Sequence, residues 1–261
     1  MSTQIPRTDK QELFVQTEGC GPDLVMLHGW GMHGGIWDGV APQLTRHFRV
    51  HRIDLPGHGF SHALPLHSLE NLAAGIAAYV PAHSIVCGWS LGGQIALTLA
   101  RHWPDQVNQL VLVATTPCFT RRTDWPWGMD AATLRLFKEN LDRQYLQTLQ
   151  RFLTLQVRGG TDQTIVLAQL RERLLQRGQP APQALQAGLQ ILLTSDLRTS
   201  LPHITQPVML IHGENDVITP VNAAHWMQQQ LPRAQFKPMV HCGHAPFLSY
   251  PDSFVECFND L

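Results

Sequence analysis

Ser84-Ile85-Val86-Cys87-Gly88-Trp89-Ser90-Leu91-Gly92-Gly93-Gln94-Ile95-Ala96-Leu97 is the stretch on which the reading of this chain turns. It opens with a short apolar run closed by glycine, the pattern of a strand buried on both faces. From Gly93 onward it continues with the pattern of a helix. Between the two stands Gly88-Trp89-Ser90-Leu91-Gly92, a G-x-S-x-G sequence in the strand–turn–helix setting of a nucleophile elbow. Such a turn forces its serine into a strained conformation and needs small neighbours. Ser90 Oγ is then held clear of the sheet at a helix N-terminus, whose dipole favours negative charge. The plainer alternative, an ordinary serine in a tight turn, has no need of this setting.

The same logic repeats on either side. Apolar runs at residues 24–27, 50–54 and 110–114 are closed by His28-Gly29, Pro56-Gly57 and Pro117. Helix-like stretches cover residues 69–79 and 93–102. Repeated β-then-α units predict an α/β fold with a mainly parallel central sheet flanked by helices. From residue 118 to 200 the chain is rich in Leu, Gln and Arg, and reads as several amphipathic helices. Strand patterns return at 208–211 and 235–240, and residues 251–261 suggest a closing helix. The expected organisation is an α/β core of residues 1–117 and 201–261 with a helical lid insertion at 118–200.

A serine hydroxyl is a weak nucleophile and needs a base. With 14 histidines in the chain, residue type selects nothing and position decides. His244 lies in His241-Cys242-Gly243-His244-Ala245-Pro246-Phe247, just after the last strand pattern, where it can reach over the C-terminal edge of a parallel sheet. His241, nearer the strand end, is the fallback. The acid should follow an earlier strand, and Asp216 in His212-Gly213-Glu214-Asn215-Asp216 fits. It would hold the imidazole in one tautomer and stabilise the imidazolium. Glu214 is the alternative acid, and a turn or helix-capping role near Pro220 the plainer reading of Asp216. The order Ser, Asp, His is that of hydrolases built on this elbow. Oxyanion donors are expected from the backbone N–H of Leu91 and, in the loop His28-Gly29-Trp30-Gly31-Met32, that of Trp30. His28 and His58 read as organisers of loops.

Composition narrows the alternatives. The chain has 261 residues, 44% hydrophobic and 15% charged, too apolar and too weakly charged for disorder. A net charge of −1 argues against a general nucleic-acid footprint. No apolar run approaches a membrane span. Residues 1–12 are polar and lack the apolar stretch of a secretory signal. Five widely spaced cysteines without C-x-x-C suit reduced thiols and a cytoplasmic setting. No phosphate loop, dinucleotide fingerprint or zinc-type spacing is present, so neither a cofactor nor a metal is expected.

With elbow, acid and histidine loop in this order, the chain resembles the α/β-hydrolases over essentially its whole length. Closer signs are His28-Gly29-Trp30-Gly31-Met32 with Trp37, Gly88-Trp89-Ser90-Leu91-Gly92-Gly93-Gln94, Arg151-Phe152-Leu153-Thr154-Leu155-Gln156 and His244-Ala245-Pro246-Phe247. By these the chain most resembles the pimeloyl-[acyl-carrier protein] methyl ester esterases of biotin synthesis. That resemblance implies a triad of Ser90, Asp216 and His244. It implies substrate contacts from Trp30, Leu91, Phe152, Leu153, Thr154, Leu155 and Gln156. It also implies a partner, the acyl carrier protein bearing the pimeloyl methyl ester, and a monomer. A short-chain esterase, a lactonase or a carbon–carbon hydrolase on the same fold is the nearest rival.

Charge adds an independent hint. Residues 118–200 carry a net +4 and the remainder −5, so the neutral total hides a basic insertion on an acidic core. Arg143, Gln147 and Arg151 have the spacing of one helix face, with Arg158 near it, and Arg173 and Arg177 form another pair. Arg143, Arg151 and Arg158 are therefore candidates for docking an acidic carrier, against the plainer reading of solvated helix surface. Trp30, Trp89, Leu91 and Phe152, joined by Trp125 and Trp127, are candidates to line an acyl channel.

Overall fold

The computed structural model describes residues 13–63 and 68–261. The N-terminal stretch read as lacking an export signal lies outside them. Seven strands form one sheet in the order β1-β3-β2-β4-β5-β6-β7. They are β1 (Val15–Glu18), β2 (Asp23–Leu27), β3 (Arg49–Ile53), β4 (Ser84–Trp89), β5 (Val107–Val113), β6 (Val208–Gly213) and β7 (Ala234–Met239). All neighbours pair parallel except β1, which lies antiparallel on β3 with Val15 opposite Ile53. Strands β4 and β6 are buried along their entire length, as their unbroken apolar runs require.

Three helices precede the insertion: α1 (Ala41–Leu44), α2 (Leu69–Ala77) and α3 (Leu91–His102). Ser68 caps α2 by accepting the Asn71 N–H, and α3 is buried from Leu91 through Ala100. Four 13-residue helices then run between β5 and β6: α4 (Ala131–Arg143), α5 (Tyr145–Val157), α6 (Gln163–Leu175) and α7 (Pro182–Thr194). After β6 come α8 (Val221–Gln230), α9 (Pro246–Ser249) and α10 (Pro251–Glu256). The chain's closing turns bring Trp37, Phe247, Phe254 and Phe258 into one aromatic cluster. No helix among the described residues is long and apolar enough to cross a membrane.

Three expectations need correcting. Arg143 and Arg151 do not share a helix: Gln144, at φ −143° and ψ 57°, separates α4 from α5, and Arg158 caps α5 in an extended conformation. Arg173 and Arg177 are not a free basic pair. Arg173 donates to Asp38 and to the Gly35 carbonyl, while Arg177 reaches the fully buried Asp54 at 3.0 Å and Gln16 at 2.7 Å. These contacts tie Arg173 of α6 to the turn after β2, and Arg177, just past α6, to β1 and the residue following β3. Trp125 and Trp127 pack edge-to-face on one another, with Trp125 also against Trp226, in a separate cluster with Cys118.

Candidate active site

The sheet's topology sets the site's position. β2 has β3 on one side and β4 on the other, so the connections leaving β2 and β4 diverge. Ligand sites of open parallel sheets lie at such a switch point, beyond the C-terminal strand ends. Trp30 follows β2 and Ser90 follows β4, so the two expected donor loops flank that crevice.

Ser90 has φ 55° and ψ −115°, a conformation that costs a non-glycine residue energy. The motif's glycines make the turn possible. A Cβ on Gly88 would overlap the Gly92 carbonyl, and one on Gly92 would run into the carbonyls of Leu27 and His28. The strained turn is fastened on both sides. The Ser90 N–H donates to the Val113 carbonyl at 2.9 Å, and the Thr115 hydroxyl donates to the Ser90 carbonyl at 2.6 Å. Leu91 opens α3, so its N–H has no acceptor within the helix and is free to receive developing negative charge.

His244 and Asp216 are both buried, at 1% and 5% exposure. His244 Nδ1–H donates to Asp216 Oδ2 at 2.7 Å. Its Nε2 is buried without a partner, and no hydrogen bond joins it to Ser90 Oγ in this structure. Catalytic hydrogen bonds of this kind often tighten only when substrate is bound. Burial works against the charge of Asp216, but the His244 imidazole and the hydrogen bonds from His244 and Thr219 outweigh it, leaving the carboxyl below its ordinary value. The alternatives fall away on geometry: Glu214 and His241 are exposed.

The histidine loop is held from two directions. Trp89 Nε1 donates to the His244 carbonyl at 2.7 Å, and the His244 N–H donates to the Gln156 carbonyl at 3.0 Å. Trp89 therefore lies beneath the histidine loop, against His244 and Phe247. His28 organises its loop as expected, donating from Nδ1 to the Gly29 carbonyl and accepting the Leu55 N–H at Nε2. His58 donates to the Pro56 carbonyl.

Above the crevice, the Trp30 ring meets Phe152 and Phe137 edge-to-face and its Nε1 donates to the Leu185 carbonyl of α7. Of the expected α5 contacts, Phe152 and Leu155 are half-buried and Leu153 and Gln156 buried, while Thr154 is exposed with its hydroxyl on the Gln150 carbonyl. Arg143, Arg151 and Arg158 are exposed and form no ion pair among the described residues. No group of three His, Cys, Asp or Glu residues that could hold a metal occurs among the described residues. Two residues near Asp216, Thr219 and His212, escaped the sequence reading. The spacing Asp216-x-x-Thr219, typical of a side-chain-to-backbone turn, was the available signal for the first.

This crevice, elbow and buried His–Asp pair define an esterase-type hydrolase site, and the comparisons agree. The chain belongs to the alpha/beta hydrolase family, whose model matches residues 24–257. Within that family its relatives include proteins named pimeloyl-[acyl-carrier protein] methyl ester esterase. The one from Nitrosomonas europaea is 60% identical over 249 residues, covering 95% of this chain and 99% of the relative. The one from Nitrosospira multiformis is 49% identical over 250 residues, covering 93% and 95%. An esterase structure from Exiguobacterium antarcticum superposes with a TM-score of 0.86 at 23% identity, covering 95% of this chain and 94% of that one, a likeness of fold.

Proposed function

We propose that this chain is a serine carboxylesterase that hydrolyses the methyl ester of a pimeloyl chain borne on acyl carrier protein. Ser90 is the nucleophile, His244 the general base and Asp216 its partner. The observation that carries the reading is the buried His244–Asp216 pair, with Nε2 unpartnered at the edge where the elbow presents Ser90. The substrate rests on the names of relatives 60% and 49% identical over nearly their full length.

Ser90 Oγ attacks the ester carbonyl as His244 Nε2 takes its proton, and the N–H groups of Leu91 and Trp30 receive the oxyanion. The imidazolium protonates the departing methoxide, and methanol leaves. Water, deprotonated by His244, then attacks the acyl-enzyme and releases the pimeloyl carboxylate with Ser90 restored. Residues 118–200 act as a lid, whose α5 residues Phe152–Gln156 contact the acyl chain together with Trp30 and Leu91 of the core. In the manner of the family it resembles, the step ends chain elongation on the way to biotin. An acidic carrier docks on the exposed Arg143, Arg151 and Arg158.

Turnover of the carrier-bound methyl ester and of a short p-nitrophenyl ester tests both parts. A much higher kcat/KM on the carrier-bound ester, falling with salt, is expected. Ser90→Ala should lower both activities by on the order of 10³-fold or more while the protein stays folded. Arg143→Glu with Arg151→Glu should raise KM for the carrier-bound ester alone. Retained turnover in Ser90→Ala removes the nucleophile. Activity on the short ester only removes the carrier.

A further inference from the structure

Thr219 is a positioning residue for the His244–Asp216 pair: we propose that its hydroxyl fixes Asp216 Oδ2 against His244 Nδ1 and restrains the basicity of that carboxylate. The inference rests on the reading of Ser90, His244 and Asp216 as a triad.

Asp216 has four donors. Oδ1 accepts the N–H groups of Ile218 at 2.8 Å and Thr219 at 3.0 Å. Oδ2 accepts His244 Nδ1–H and the Thr219 hydroxyl, each at 2.7 Å. The Thr219 side chain is buried, and its hydroxyl has one proton and two acceptors in reach: Asp216 Oδ2, and the Ala114 carbonyl at 3.1 Å. The nearer and charged acceptor takes it. His212, at the end of β6, buttresses the other side of the residue by donating Nε2–H to the Thr219 carbonyl at 2.6 Å. Thr219 is thereby clamped at its carbonyl, N–H and hydroxyl, so the hydroxyl meets Oδ2 in one orientation.

The charge balance around His244 gives this contact a sign. The titratable groups facing the imidazole are Asp216, His212 behind it with His225 beyond, and Cys242 on its own loop. Burial holds His212 below its ordinary value and pushes Cys242 up to about 12, so both are neutral near pH 7. Asp216 is then the charge beside the imidazole, 2.7 Å from Nδ1. A carboxylate that accepts the Thr219 hydroxyl is less basic than one that does not, and it stabilises the imidazolium less. The hydroxyl therefore tempers how strongly Asp216 stabilises the imidazolium formed during the reaction.

The test is the pH profile of kcat/KM on a methyl ester for the parent, Thr219→Val, Thr219→Ser and Ser90→Ala. Thr219→Val keeps the shape and loses the donor. Its acid limb should move up by about half a pH unit and its kcat fall about 3–10-fold with KM unchanged. Thr219→Ser should restore both. A Thr219→Val profile that overlays the parent, while Ser90→Ala is inactive, overturns the inference and leaves the triad standing. Turnover by Ser90→Ala overturns the triad itself. A fall in folded protein with no movement of the limb marks Thr219 as structural only.

Discussion

One carboxylate meets two demands at Asp216. Its Oδ1 closes the turn after β6 through the N–H groups of Ile218 and Thr219, and its Oδ2 orients the imidazole. The turn role weighed in the sequence and the contact with His244 are thus halves of one side chain. Asp216→Asn keeps the turn-side oxygen but can present an N–H to Nδ1, selecting the wrong tautomer. We expect kcat to fall by on the order of 10³–10⁴ with little loss of stability. Glu214→Gln, at an exposed position, should leave kcat within about twofold, because surface substitutions away from such features are nearly neutral. Steady-state rates on one ester decide between the two acids.

At the scale of elements, the residues just past α6 are fastened to the end of β3 by buried charge. Asp54 is fully buried and Arg177 nearly so, and the guanidinium also stacks over Phe14 and Phe60. Arg177→Met would strand the Asp54 charge, retaining only the N–H groups of Gly34 and Phe60. Loss of about 3–5 kcal/mol in urea unfolding is expected, whereas Arg171→Met on the exposed face should change little. This fastening was not legible in the sequence, because Arg177 and its acid lie 123 positions apart. What was legible follows the same physics. Five strands, β2 to β6, announce themselves as apolar runs closed by glycine or proline, because each is covered on its faces, whereas β7 at the sheet edge is buried only at Met239. β1 does not: its Gln16, Thr17 and Glu18 are half-buried or exposed, and backbone pairing to β3 holds it. The break at Gln144 carries no glycine or proline, so α4 and α5 read as one helix. The positions of Ser90, Asp216 and His244 were legible because each follows a strand end, whereas the Thr219 hydroxyl meets Asp216 only through how the turn folds.

Across the whole molecule, buried histidines couple folding to pH. Burial holds His58 down at about 4, and it also lowers His28 and His212. An unfolded histidine titrates near 6.5, so between that pH and about 4 the unfolded chain takes up protons that the folded chain refuses. Stability is therefore fully present above pH 6.5 and falls as the pH is lowered through this window. His58 alone contributes about 3 kcal/mol to that fall. Urea midpoints measured from pH 7 to pH 4.5 should drop more steeply than one proton explains. His58→Asn should flatten the slope by about one proton, and an unchanged slope would remove His58 from the account.

The two ends of the helical insertion lie side by side. Cys118 bridges to Asp196, and the Thr120 hydroxyl donates to the Leu193 carbonyl. A segment that leaves and rejoins its scaffold at one doorway is modular: another could be spliced there without re-threading the sheet. Yet the Gln156 carbonyl, which receives the His244 N–H, travels with that segment. Any exchange of insertions between relatives, in evolution or by design, must therefore bring an acceptor for this N–H along with the new helices.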